Sequence, residues 1–97
     1  MDATIQARHG DPHTSHEQRS VTREMQAAAV VLNVMADGIE RTDAEMYAAA
    51  VKDHEYAATP GRLRHGRLAA QRAGLIVATG ATRPTPDGGM SRVWRKV

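Results

Sequence analysis

Arg62, Arg64, His65, Arg67 and Arg72 lie within eleven consecutive positions of this 97-residue chain. Side chains of that type at that density can recognise anions. A guanidinium presents a planar fork of donors that fits a phosphate, or the O6/N7 edge of guanine, through two parallel hydrogen bonds. Arg62, Arg64 and His65 stand earliest in the stretch and are the candidates for base edges. Arg67 and Arg72, further along, are the candidates for phosphates. Arg83, Thr85 and Arg92 extend the set into the following segment. One such arginine would be an ordinary solvated residue, but so many in two adjacent elements suggest a nucleic acid.

The elements that must position these residues can be read from the pattern. Thr59 is an expected N-cap and Pro60 the first helical residue, which predicts a helix over 59–73 closed by Gly74. On that helix Leu63, Gly66 and Ala70 share an inward side, with Leu75 following. Arg62, His65, Ala69 and Arg72 lie opposite, and Arg64 and Arg67 flank them. Leu68 falls away from the inward side. Gly66 lowers helix stability by about 1 kcal/mol relative to alanine, so its presence points to close packing or close approach. Leu75–Ala78 predicts a strand and Ser91–Lys96 its return. Gly80, Pro84, Pro86, Gly88 and Gly89 mark the loop between them, so that 75–96 forms a hairpin or wing.

Upstream, residues 1–20 read as a flexible polar arm, in which Thr14 and Glu17 could cap a short helical turn. A domain over 21–97 follows. Its first helix is expected from just after Thr22 to the Asp37-Gly38 turn. Met25, Ala28, Ala29, Leu32, Met35 and Ala36 form a core face at helical spacing. Ala27, Val30, Val31 and Val34 are apolar on the other side, which suggests either further burial or a two-fold homodimer interface. Ile39–Arg41 fits a very short strand. Thr42-Asp43-Ala44-Glu45 is a capping box that opens a second helix ending near Asp53, with Met46, Tyr47, Ala50 and Val51 buried. The order predicts a mainly α fold with a small β-hairpin: a winged helix-turn-helix of three helices plus a wing.

Charge follows the same division. Positions 60–97 hold eight basic residues and one acidic residue, whereas positions 1–59 hold five basic and ten acidic. The whole-chain net charge of +2 conceals that asymmetry. Several classes of function are disfavoured. No supported nucleophile–base set, Gly-rich phosphate loop or apolar carboxylate pair suggests an enzyme. His9, His13 and His16, with Asp11 and Glu17, have helical spacing for a metal, but Pro12 interrupts them, and neither a metal nor another cofactor is expected. The longest apolar run, Ala27–Leu32, is too short to span a bilayer, and the N-terminus has no signal-peptide core. The chain has no cysteine, which fits a reducing cytoplasm. With no Phe and a single Trp, the core must be thin, with Trp94 a packing residue in it.

Three segments together resemble a family of small winged-helix proteins encoded by actinobacteria and their phages. They are Asp11-Pro12-His13-Thr14-Ser15-His16, the run from Thr59-Pro60-Gly61-Arg62-Leu63-Arg64 to Ala73-Gly74-Leu75-Ile76, and Gly80–Gly88 with Val93-Trp94. The resemblance spans residues 11–97. Ala70 departs from it, standing where such helices often carry Leu. Members are mostly described as DNA-binding, so the resemblance implies that fold and a role on DNA in a bacterial cell.

The combined expectation is a double-stranded DNA-binding protein, acting as a transcriptional regulator or a phage accessory factor in the host cytoplasm or nucleoid. Helix 59–73 would enter the major groove, and the wing would hold the backbone. The alternatives are a winged-helix module that docks a host or partner protein, and an architectural binder that bends DNA without reading it.

Overall fold

The computed structural model describes residues 12–97, and the side chains of residues 22–97. Three helices precede a two-stranded antiparallel hairpin: α1 (Pro12–Met35), α2 (Asp43–Asp53), α3 (Pro60–Arg72), β1 (Ile76–Pro84) and β2 (Met90–Lys96). This is a winged-helix-like topology, mainly helical. Among the described residues no helix is long and apolar enough to cross a membrane.

The first helix differs most from expectation. It is continuous from Pro12, eleven residues ahead of the expected start after Thr22, so residues 12–20 of the expected arm are helical. The side chains of His13 and His16, and His9 altogether, lie outside the described residues. Its buried face is shifted towards the other side, although Met35 of the expected face is buried and Leu32 packs against the core. Ala27, Val31, Val34 and Met35 are buried, at i, i+4, i+7 and i+8, while Met25 is 66% exposed and Ala29 and Ala36 face solvent. The proposed dimer surface of Ala27, Val30, Val31 and Val34 is therefore corrected. Three of its four residues are consumed by the monomer's own core, and Val30 packs against that core. A helix apolar nearly all round cannot select its inner face by periodicity. The selection is made by α3, its main packing partner.

The contact between these two helices turns on one missing side chain. Gly66 is buried, and a Cβ there would lie 2.4 Å from the carbonyl carbon of Ala27 and 2.6 Å from its oxygen. Only glycine allows the two backbones so close. Leu63 and Ala70 flank Gly66 on the same buried face and meet Val31, Val34, Met35, Met46, Ala50, Ile76 and Trp94 in one core.

The helix starts follow the sequence. The Thr42 side chain accepts from the Glu45 N–H at 3.2 Å, and Glu45 accepts from the Thr42 N–H at 2.9 Å, a complete capping box. Thr59 accepts from the Arg62 N–H at 3.1 Å, with Pro60 next. Met46 and Ala50 are buried and Tyr47 partly so, but Val51 is 46% exposed, because α2 touches the core along a narrower stripe than four residues need.

The end of α2 carries backbone strain. Glu55 has φ 53°, the left-handed position after the cap where glycine is usual, and the Tyr56 N–H returns to the Ala50 carbonyl at 3.1 Å. Glu55→Gly is expected to stabilise the fold by about 0.5 kcal/mol, since the relief of strain exceeds glycine's extra chain entropy. A urea denaturation series checks this, and a lowered midpoint would contradict the left-handed cap.

The hairpin spans the expected stretch, but its strands are longer and its loop shorter than expected. Its loop is only Thr85–Gly89, and Gly80 lies inside β1. The register runs Ile76↔Lys96 to Ala78↔Trp94, then resumes at Thr82↔Arg92 after an irregularity. Three β1 residues, Thr79 to Ala81, stand there against Val93 alone, a bulge that Gly80 makes possible at φ 91°. A third strand is reduced to one bridge: Arg41 and Trp94 exchange backbone hydrogen bonds at 3.1 and 2.8 Å. This joins the hairpin to the start of α2 and seats the Trp94 ring, 2% exposed, in the core.

Candidate nucleic-acid interface

The expected basic set separates into two groups once side-chain partners are considered. Arg67 belongs to the protein's own framework. Its Nε donates to Asp43 Oδ1 at 2.9 Å, Nη2 donates to Asp43 Oδ2 at 2.8 Å, and Nη1 donates to Gln71 Oε1 at 2.9 Å. The guanidinium carbon sits 4.2 Å from the centre of the Trp94 ring, a stacked cation–π contact. The side chain is 14% exposed. In the chain alone, the fork expected to meet a phosphate is thus taken by Asp43. A fork already bidentate to a carboxylate cannot also clasp a phosphate without giving up that pair.

Arg83 is paired too, though its side chain is 43% exposed. Its guanidinium pairs with the Glu45 carboxylate and reaches towards the Glu40 carbonyl, so it ties β1 to the capping box of α2. Burial alone would raise the Glu45 pKa. The Thr42 N–H and the Arg83 guanidinium outweigh it and leave the carboxyl below its ordinary range. Thr85 is a turn residue. Its hydroxyl donates to Asp87 and accepts from the Gly89 N–H at 3.0 Å, and its backbone closes the tip to Gly88 and Gly89. The Thr85 hydroxyl and the Gly89 N–H hold the Asp87 carboxyl low. In the chain alone, Arg83 and Thr85, expected as wing contacts, thus have partners within the protein.

The second group is Arg62, Arg64, His65, Arg72 and Arg92. All five are exposed, and among the described residues none of these side chains makes a hydrogen bond or ion pair. The first four stand on α3 outside the buried face of Leu63, Gly66 and Ala70, with Arg62 towards α1 and Arg64 towards α2. Arg64 and Ser91 line one cleft together with Asp43, Ala44 and Pro60. Leu68 is partly covered although the helical spacing directs it away from the core.

The structural arginines have a second electrostatic effect. Asp43 and Glu45 open α2 on the side where Arg64 also stands. Left bare, they would repel an approaching polyanion. Arg67 and Arg83 neutralise them, so the free guanidiniums of α3 act with little opposition nearby. At the other end of the same connection Arg41 forms a two-pronged pair with Asp37 and donates to the Val34 carbonyl at 2.9 Å, capping α1. The hydrogen bond from Arg41 takes the Asp37 pKa down to about 2. The sequence signals that could have separated the two groups were the acidic first turn of α2 and Gln71 four residues after Arg67.

No protein-family model matches the chain, and no curated protein matches it. The functional reading therefore rests on the residues and their geometry.

Proposed function

We propose that the chain is a double-stranded DNA-binding protein that presents α3 to the major groove and uses the hairpin against the backbone. The observation that supports this is the exposed face of Arg62, Arg64, His65 and Arg72, free of protein partners among the described residues while other arginines have taken up Asp37, Asp43 and Glu45. Arg62, Arg64 and His65, nearest the helix start, are the base-edge candidates, and Arg72 and Arg92 the phosphate contacts. The role that fits is transcriptional regulation or an accessory role on phage or host DNA, in the compartment that holds that DNA. No catalytic step is proposed.

The test is a mobility-shift salt series on a mixed-sequence duplex. If Arg72 and Arg92 neutralise phosphates, log K should fall against log salt with a slope of about −2, and Arg72→Ala should reduce that slope by about 1. Binding that is flat from low to moderate salt would sink the proposal. Selection from a random duplex pool then separates reading from bending, since an architectural binder enriches no sequence.

A second reading, a module that docks a protein, draws on the outward strip of Met25, Ala29 and Ala36 on α1. In that case Arg64→Ala and Arg72→Ala would leave partner capture intact, whereas Met25→Glu would abolish it.

A further inference from the structure

A second place on the surface has the form of a ligand site. Where α1 passes the 54–58 loop and the first turn of α3, a cleft of about 280 Å³ opens. That volume is at the small end of the roughly 300–1,000 Å³ usual for ligand pockets. Its walls differ in chemistry. Ala27 and Val30 are buried or half-buried and supply an apolar wall. Arg23 on α1 and Arg62 on α3 are exposed, and His54 stands in the loop. Tyr56 completes the loop side. Its hydroxyl is buried and has no hydrogen-bond partner among the described residues. A polar group of that kind is costly to leave unsatisfied.

The charges fit one class of ligand. Two guanidiniums on two different helices line the cleft, and among the described residues neither side chain makes a hydrogen bond or ion pair, although the Arg62 charge is felt at Tyr56. Glu55 is the one carboxylate among the lining residues, so the lining carries a net charge of +1 with His54 neutral. Nothing in the fold requires Arg23 and Arg62 to stand there, whereas Arg41, Arg67 and Arg83 each hold elements together. The loop that completes the cleft is held in place by the left-handed Glu55 and by Tyr47, whose hydroxyl donates to the Ala58 carbonyl at 3.4 Å and whose ring meets Tyr56 edge-on at 6.2 Å. The walls are thus set before any ligand arrives.

We propose that this cleft binds a small organic monoanion, a carboxylate with a compact apolar body, whose charged end lies between Arg23 and Arg62 and whose body rests on Ala27 and Val30. Arg62 also belongs to the face assigned above to DNA. Ligand and DNA would then compete for it, and each would weaken the other's binding by the same factor. That consequence rests on the DNA-binding reading. The site itself does not, and its test contains no DNA.

The probe is benzoate, titrated into the full chain at constant ionic strength and followed by amide chemical shifts, with neutral benzamide as the control. Benzoate should give saturable shifts confined to residues 23–30, residues 54–58 and Arg62. Benzamide should bind about tenfold more weakly or worse, as expected from losing one charge-assisted hydrogen bond. Arg23→Gln should weaken benzoate by about the same factor with no change in the thermal midpoint, because Arg23 has no partner among the described residues. Equal binding of benzamide would overturn the proposal. So would an unaltered benzoate affinity in folded Arg23→Gln, or shifts that do not saturate and spread over the arginines of α3 and β2.

Discussion

Replacing Gly66 with alanine should destabilise the protein by about 3 kcal/mol, although the same change in an exposed helix would stabilise it by about 1 kcal/mol. The sign is decided by what the new methyl meets. A Cβ at position 66 would lie 2.4 Å from the Ala27 carbonyl carbon, 2.6 Å from its oxygen and 2.7 Å from its Cβ. Two of these atoms are backbone, so no rotamer change can clear them, and α1 and α3 must move apart. That separation loosens Leu63 and Ala70 from Val31 and Val34 at the same time. For a domain of this size the loss corresponds to a fall of roughly 15 °C in the thermal midpoint, a large part of what so thin a core supplies. Circular dichroism melts provide the measurement. Ala27→Gly in the same chain should restore little, because it removes the Cβ contact and leaves the two backbone contacts. A Gly66→Ala variant that melts at or above the parent temperature would show that the helices do not approach so closely.

The sequence was most informative where a local rule acts alone. The Thr42–Glu45 capping box, the Thr59-Pro60 start, the inward trio of Leu63, Gly66 and Ala70, and the packing of Trp94 depend on a few neighbouring residues, and the structure has all of them. It was least informative where two solutions were locally equal. Both sides of α1 are apolar over residues 25–36, and the choice between them depends on a glycine more than thirty positions away. The extent of β1 was hidden for a related reason. Gly80 and Pro84 read as loop residues, yet a bulge at Gly80 and an end-of-strand position for Pro84 admit both into a strand.

The candidate site was legible as a set and not as roles. Counting arginines found the basic end, but a count cannot tell a guanidinium that faces solvent from one that faces a carboxylate. Asp43 is 24 positions from Arg67 and Glu45 is 38 from Arg83. Such pairs exist only once α2, α3 and the hairpin have been assembled. The same assembly leaves Arg62, Arg64, Arg72 and Arg92 exposed and unmatched while Asp43 and Glu45 take Arg67 and Arg83.

Arg67 provides the clearest test of that division. Arg67→Ala should lower stability by about 2 kcal/mol, a value reduced from the fully buried case because Asp43 retains some solvent. Three losses combine. The Asp43 carboxylate, 27% exposed, keeps its charge without a partner, Gln71 loses its donor, and the Trp94 ring loses the cation stacked on it. Arg67→Lys should recover less than half, since an ammonium cannot bond both carboxylate oxygens in the plane of the ring it covers. A double-mutant cycle of Arg67→Ala with Asp43→Ala, read by urea denaturation, should return a coupling of about 1–2 kcal/mol. Arg64→Ala supplies the contrast. It removes an exposed side chain without a partner among the described residues, so its melting temperature should match the parent, while under the DNA-binding reading it loses affinity for a duplex. At a temperature where both variants are folded, Arg64→Ala should therefore weaken DNA binding more than Arg67→Ala does. The reverse order, with Arg67→Ala as stable as the parent, would place the Arg67 guanidinium on the nucleic acid and not on Asp43.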